Sequence, residues 1–423
     1  MKTALMGVIL LATLATARPA ETMAASESTN SSRDTRWKED LEFLARELPG
    51  RHIDFFKIIS QRKFERELRK LEMELPQLSD VEVVFRLMRH VASLGVAHTW
   101  IGFPPKTPAF HGYPFMLHWF ADELAVIAAS PDHRDIIGAR VVNIGSLTPP
   151  QAVAAVAPYI SHENKAWLYA QSPLLLRNAE LLQQLKIARP DGQLRLSLVR
   201  PDGQPLALDL APCASSEPAQ WVSIWDALSI PPVLRRKRFA SYWYEYLPEA
   251  RAIYIQYNSC SNIPEYPFAN FARELFAFAD SNLVERVIVD LRYNGGGDSS
   301  VVKPLVNGLK SRTHLKGREH LYVLIGPRTY SSGVFAAVDL RNEADATLVG
   351  EPTGGKPNSY GNTPSFRLPN SQMEVWYCTK NFRLIKYADP FSLNPDIDVV
   401  LSLKDFIAGS DPALESALRS PLK

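Results

Sequence analysis

Five short stretches of this sequence bring together residue types that can carry or support catalysis. Asp290-Leu291-Arg292-Tyr293-Asn294-Gly295-Gly296-Gly297 follows an apolar run. Glycines at a strand end let backbone N–H groups face a ligand without side-chain obstruction, so this segment can cradle a phosphate or a tetrahedral oxyanion. The phosphate-loop patterns GxxxxGK[ST] and GxGxxG are both absent, and a plain tight turn is the competing reading. Gly326-Pro327-Arg328-Thr329-Tyr330-Ser331-Ser332-Gly333 also follows an apolar run and opens a helical pattern. A serine hydroxyl there sits at the positive end of a helix dipole, and the next amide can serve as an oxyanion donor; an ordinary serine N-cap is the alternative. Ser93-Leu94-Gly95-Val96-Ala97-His98-Thr99-Trp100 supplies a candidate base, His98. Gly350 to Asn358 supplies Lys356, a base if desolvated, and Asp389 to Asp396 supplies carboxylates.

These residues need elements to position them. From Trp37 to Leu94 the pattern is helical: Phe64, Leu68, Leu71 and Leu75 recur among charges, Pro76 breaks the run, and Ser79 or Asp80 caps the next helix. Beyond Gly95 the character changes. Strands are expected at Leu124–Ala128 and Ala139–Gly145 and a helix from Pro150 to Ile160. Two Arg-Pro-Asp-Gly turns, at 189–192 and 200–203, bracket a strand at Leu194–Val199. A Pro/Ser-rich stretch from Pro212 to Pro218 marks a boundary. From Ala252 onward strands and helices alternate, with unalternating apolar runs at Arg286–Leu291 and Leu321–Ile325, which argues an α/β unit with a largely parallel sheet. Residues 373–385 read as antiparallel strands, and Tyr242–Tyr246 as a buried strand in preference to a cleft lining. Ligands of parallel sheets gather where strands end and helices begin.

Composition narrows the function classes. The chain has 423 residues, is 46% hydrophobic and 22% charged, and carries a formal net charge of +2, so it holds a sizeable core and shows no balance favouring nucleic acid. The tight basic run Arg235-Arg236-Lys237-Arg238 is read as a solvated loop. The three cysteines, Cys213, Cys260 and Cys378, have no metal-ligand spacing and are too few for a disulfide scaffold. No metal or organic cofactor is implied. At the N-terminus Lys2, the apolar stretch Ala4–Ala17 and small residues up to Ala24 read as a secretory signal, which places the mature chain in a secreted or periplasmic setting without stable membrane insertion.

In this order the five segments resemble the tail-specific (C-terminal processing) serine peptidase family, with its tricorn-core and chlamydial-protease-like branches. DLRYNGGG looks like the family's strand–glycine motif, TYSSG like its T-x-S-x-G nucleophile turn, and VGEPTGG like the loop that follows. LGVAHT looks like the LGDGHT segment, and Pro395-Asp396-Ile397 like the late PDI element. The resemblance spans about residues 35–405. It implies an α/β fold: a crotonase-like (spiral) α/β catalytic core with a helical N-terminal domain and a PDZ-like insert. The expected division is a signal peptide (1–24), a linker (25–34), the helical domain (35–115), the PDZ-like domain (116–212) and the core (213–423).

The resemblance places the nucleophile on Ser331 and the oxyanion hole on the amide of Ser332 with Gly295 or Gly296. In the Ser-His-acid branch the base falls on His98 and the acid, six residues before the Pro of PDI, on Asp389. In the Ser-Lys branch the base falls on Lys356, but Tyr360 stands where that branch carries a helper Gln. The Ser331–His98–Asp389 set is the favoured assignment. Val96 and Ala97 replace the family's Asp-Gly, Val334 stands where many members have Glu, and Asp389 replaces Glu. The expected activity is peptide-bond hydrolysis on peptide or unfolded-protein substrates. The rival readings are a catalytically weak or inactive relative that binds peptides or apolar ligands, and a crotonase-type acyl-CoA enzyme, against which stand the secretory signal and the lack of a CoA phosphate site.

Overall fold

The computed structural model describes residues 24–106, 109–121, 123–214, 221–227, 237 and 239–420, the side chains of 24–31 and 226–227 excepted. The expected signal peptide lies outside the described residues except for Ala24. Of the basic run only Lys237 is described, with its ammonium 5.2 Å from the Trp243 ring centroid.

The N-terminal helices are α1 (Ala24–Arg51), α2 (Phe55–Ile58), α3 (Gln61–Glu74) and α4 (Asp80–Ala92). Residues 25–34, expected as a linker, are the first turns of α1 instead. They contain no Pro or Gly to stop a helix, and downstream Trp37, Leu41, Leu44 and Leu48 form a buried stripe at helical spacing. Arg33 fastens this end to the Leu75 and Leu78 carbonyls and to Asp80. The Ser60 hydroxyl caps α3, and a reciprocal Ser79–Glu82 capping box starts α4.

The short strands β1 (Trp100–Ile101) and β2 (His111–Gly112) lead into an antiparallel sheet. It is formed by β3 (Phe115–Phe120), β4 (Glu123–Ala129) and β5 (Arg140–Ile144), then, after helices α5 (Pro149–Val156), α6 (Lys165–Leu175) and α7 (Ala179–Gln184), by β6 (Leu194–Val199) and β7 (Pro205–Leu210). The strands lie side by side in chain order. Both Arg-Pro-Asp-Gly segments are turns, with Arg189 and Arg200 N–H groups donating to the Gln193 and Gln204 carbonyls. The short strands β8 (Cys213–Ala214) and β9 (Val222–Ser223) pair with β2 and β4. One continuous apolar core joins the N-terminal helices, this sheet and the helices between β5 and β6, and also takes in Phe366, Leu368, Met373 and Val375 from far along the chain.

The second half is built on a six-stranded sheet. Its strands are β10 (Tyr242–Leu247), β11 (Ala252–Tyr257), β12 (Arg286–Asp290), β13 (Leu321–Ile325), β14 (Thr347–Gly350) and, after β15 (Asn358–Gly361), β16 (Ser365–Arg367), β17 (Glu374–Trp376) and β18 (Lys380–Arg383), the last strand β19 (Ile397–Asp398). Only β10 runs antiparallel to its neighbour; β11 to β14 and β19 are parallel. Every residue of β11, β12 and β13 is buried, as their unalternating apolar composition requires. Alternate side chains serve opposite faces. Ile253, Ile255, Val287 and Val289 pack on α8 (Phe268–Ser281), α9 (Lys303–Lys310) and α10 (Ser332–Ala344). Tyr254, Ile288, Tyr322 and Leu324 pack on α12 (Pro412–Arg419), which follows α11 (Leu403–Ala408). The aromatic run Tyr242–Tyr246 is strand β10, its rings against Phe271 and Phe278 of α8. Residues 373–385 are antiparallel as expected: β17 pairs with β1 and β16, and β18 pairs with β15.

Candidate active site

The two Gly-containing turns meet at the carboxyl ends of β12 and β13. Polar side chains within the motifs stitch them together. Asn294 Nδ2 donates to the Tyr257 carbonyl (2.8 Å), the Asn294 carbonyl accepts from Tyr330 N–H (2.9 Å), and Thr329 Oγ1 donates to the Leu291 carbonyl (2.8 Å). The Arg292 guanidinium, its side chain 12% exposed, forks onto Asp290 and onto Asp411, the residue that caps α12. Tyr254 OH donates to the same Asp290. Asp290 and Arg292 of the first motif are therefore structural, tying the last helix to the central sheet.

Ser331 sits between β13 and α10 at φ 50, ψ −128, a region that side chains with a Cβ seldom adopt. Ser331 thus sits at a sharp strand-to-helix turn, and its hydroxyl forms no hydrogen bond among the described residues. A Cβ on Gly296 would lie 2.6 Å from the Ser331 Cβ and 3.1 Å from its Oγ, so only glycine allows the two turns to come this close. On the other side a Cβ on Gly355 would lie 3.0 Å from the Ser331 nitrogen. Among the described residues the Ser332 and Gly295 amides donate to no protein acceptor, whereas Gly296 N–H is taken by Asn294 Oδ1 at 2.9 Å. Of the two glycines expected as oxyanion donors, the structure leaves Gly295 available and occupies Gly296, whose part is to make room for Ser331. The Ser332 hydroxyl donates to the Gly297 carbonyl (2.6 Å) and is not a second nucleophile candidate.

His98 lies in the turn after α4. Its ring stacks on Tyr330, the residue before Ser331, with centroids 4.4 Å apart, and Tyr330 stacks in turn on Trp167 of α6 at 3.8 Å. Among the described residues neither ring nitrogen of His98 has a hydrogen-bond partner. Burial alone pushes the imidazole down to about 4, so it is neutral at physiological pH, the state a general base requires. The neighbouring Tyr330 hydroxyl is likewise buried and unpartnered, and its pKa is raised by burial.

Asp389 does not meet His98. It is exposed and pairs with Lys356 Nζ at 2.9 Å and more loosely with Arg383 at 3.8 Å. Lys356 pulls its carboxyl below the usual range. The expected His98–Asp389 contact is thus absent, because the nearby ammonium claims the carboxylate. Lys356, the alternative base, is engaged in that ion pair and lies 5.1 Å from the Phe391 ring centroid. The three cysteines form no disulfide, and among the described residues no group of His, Cys, Asp or Glu is placed to hold a metal.

Several contributors escaped the sequence reading. Trp167, Asn164 and Glu163 lie at the start of α6, in a stretch that carries none of the five motifs. Asn164 Nδ2 reaches the carbonyls of Thr353, Gly354 and Phe391, and its Oδ1 caps α6 at Trp167 N–H. Glu163 is half-buried, with Lys356 and Asp389 nearby, and desolvation pushes its carboxyl up to about 7. Nothing local in the sequence signals these roles, since their partners lie far away along the chain. A cavity of about 540 Å³ opens between α6, the end of β3 and the carboxyl ends of the parallel strands, lined among others by Trp119, Tyr169, Pro327 and Glu351. None of the candidate catalytic residues lines it.

No protein-family model matches the chain, and no curated protein matches its sequence. Solved structures do match. Mature CPAF, a tail-specific serine peptidase, superposes with a TM-score of 0.63 over 91% of this chain and 97% of its own, at 13% identity. The chain has the CPAF fold. CPAF complexed with lactacystin gives a TM-score of 0.62 over the same shares at 12% identity. The family resemblance read from the motifs is thus met at the level of the fold. A likeness this distant in sequence transfers the CPAF backbone arrangement, while the chemistry rests on this chain's own residues.

Proposed function

We propose that this chain is a serine-type peptidase, exported by its N-terminal signal, that hydrolyses peptide or unfolded-protein substrates. Residues 213–423 form its crotonase-like catalytic core, 35–115 the helical domain that brings His98, and 116–212 a PDZ-like insert that presents substrate. The observation that carries the reading is Ser331: a strained serine at a strand-to-helix turn, packed against Gly296 and followed by the Ser332 amide, which donates to no acceptor among the described residues. No helix among the described residues is long and apolar enough to cross a membrane.

In this reading His98 takes the Ser331 proton and the alkoxide attacks the substrate carbonyl. The oxyanion is stabilised by the Ser332 and Gly295 N–H groups, and His98 returns its proton to the leaving amine. Water then repeats the cycle on the acyl-enzyme. The missing Ser331–His98 hydrogen bond is of the kind that tightens when substrate binds. Removing one oxyanion donor in such a site costs about 100- to 1000-fold in turnover.

The test is labelling of the mature protein with a fluorophosphonate and mapping of the adduct. Labelling is expected at Ser331, lost in Ser331→Ala and His98→Ala and kept in Lys356→Ala. Labelling that survives His98→Ala but not Lys356→Ala moves the base to Lys356. A folded protein that does not label overturns the peptidase reading.

A further inference from the structure

His98 is the base of the proposed reaction, yet among the described residues nothing bonds to its ring, so its place depends on the turn that carries it. We propose that Thr99 is the positioning residue for His98: its buried hydroxyl, bonded to His52 and to Cys378, pins the 96–99 turn and so holds the imidazole against Tyr330. This inference rests on the Ser331–His98 reading above.

The bonds around Thr99 have one consistent direction. His52 Nδ1 contacts the Ile53 carbonyl, which can only accept, so Nδ1 carries the proton of the neutral ring. Nε2 is then an acceptor, and Thr99 Oγ1 donates to it at 3.0 Å. With its own proton spent, Oγ1 accepts from the Cys378 thiol at 3.4 Å. Burial favours both neutral partners: it lowers the His52 imidazole, against the opposing pull of Asp54, and pushes the Cys378 thiol up to about 12. All three side chains are buried, so removing the Thr99 hydroxyl leaves the His52 acceptor unpaired away from water.

The same bonds tie the base to distant parts of the chain. Thr99 follows His98 directly, and its N–H closes the turn on the Val96 carbonyl at 2.9 Å. β1 begins at the next residue, where Trp100 is registered with Trp376 of β17. His52 follows the last residue of α1, and Cys378 lies two residues beyond β17. These two segments are joined by the Ile53 N–H, which donates to the Cys378 carbonyl at 2.9 Å. The Thr99 hydroxyl therefore sits where the end of α1, the base's turn and the segment after β17 meet.

The burial of His98 supplies a readout that stability alone would not move. Desolvation holds the imidazole down at about 4 with no charged group contributing, and the titratable side chain packed on its ring is Tyr330, whose buried hydroxyl stays protonated. An imidazole that leaves this stack gains water, and its pKa returns towards the ordinary 6.5. Releasing the turn thus slows acylation of Ser331 and also makes the base titrate where the wild-type base is neutral.

The experiment measures the rate of fluorophosphonate labelling of Ser331 in the full mature chain from about pH 5 to 8, with melting curves alongside. The ratio of variant to wild type is taken at each pH, so that titrations common to both cancel. Thr99→Val keeps the size and removes the hydroxyl. It should label about tenfold slower than wild type at pH 8, and the ratio should fall about tenfold further by pH 5 as the freed imidazole takes up a proton. Thr99→Ser keeps the hydroxyl and should label within about twofold of wild type throughout. A role in stability alone would lower the melting temperature of Thr99→Val and leave its ratio level with pH. A level Thr99→Val ratio overturns the proposal, as does a Thr99→Ser profile that matches Thr99→Val. If Thr99→Val melts below the assay temperature, His52→Phe decides. It keeps a ring beside Phe55 and Tyr360 but offers Thr99 no acceptor, so its ratio should fall in the same way, and a level ratio overturns the proposal. In each of these cases wild-type labelling leaves the peptidase reading standing; a wild type that never labels removes both.

Discussion

Ser331 shows what the types of residues can and cannot disclose. The sequence marks it by its place after an apolar run and before a helical one, and the structure adds a backbone conformation that costs roughly 1–3 kcal/mol for a residue with a Cβ. Glycine relieves that cost and alanine does not. Ser331→Gly should therefore be more stable than Ser331→Ala by about 1 kcal/mol in urea unfolding, both being unreactive towards the fluorophosphonate. Equal stabilities would remove the strain argument. Gly296 gives a complementary case. Its amide is occupied by Asn294, so its value lies in the missing Cβ. Gly296→Ala should displace Ser331 and lower labelling by about 100-fold or more while Ser331 stays accessible to the probe; a labelling rate within twofold of wild type would sink this account. The motif itself was legible, but the division of labour between Gly295 and Gly296 was not, because it depends on which N–H the Asn294 side chain takes.

At the scale of elements, the parts closest to the nucleophile were readable and the part that closes over it was not. β12 and β13 are unbroken apolar runs ending in glycine-bearing turns, and α10 begins where helical spacing begins, so their junction could be placed from the sequence. The segment leading into α6 looks like filler between two strands of the antiparallel sheet. Its meaning comes from Asn164 bonding to Thr353 across 189 positions and from Trp167 stacking on Tyr330. The same limit explains the misread linker, since Ser and Thr lower helix propensity only slightly and the buried stripe downstream of it decides the outcome. Asn164→Ala removes the cap of α6 and three carbonyl contacts at once, with an expected loss of about 2 kcal/mol. Amide exchange should accelerate at both 163–168 and 353–356. Exchange confined to the first of these segments would show that α6 does not hold the loop behind Ser331.

At the scale of the whole molecule, alternation of strand and helix was enough to foresee a mainly parallel sheet, while the shared core of the first half was not foreseeable. Phe366, Leu368 and Val375 complete a core begun by α1, and pairing of β1 with β17 places the turn carrying His98 beside the second half. Assembling the site this way buries titratable groups of both kinds, and their effects on stability oppose one another. His98 and His90 are pushed down to about 4 by burial, and His52 is lowered too. As pH falls below 6.5 the unfolded chain takes up protons that these folded imidazoles refuse, so stability drops towards pH 4. Glu163 and Glu351 are pushed up to about 7. Their folded carboxyls keep protons that the unfolded chain releases above about 4.5, so their contribution is full below that pH and is lost as pH rises through 7. Between pH 5 and 6.5 the two sets have opposite slopes, and unfolding free energy should change little across that interval. Glu163→Gln combined with Glu351→Gln removes one set and leaves the other. Urea unfolding of that double variant should show stability falling on acidification by about 2–3 kcal/mol per pH unit more steeply than the wild type. Parallel profiles for the two proteins would mean that these carboxyls ionise in the folded chain as they do in the unfolded one, and that their desolvation carries no energetic signature.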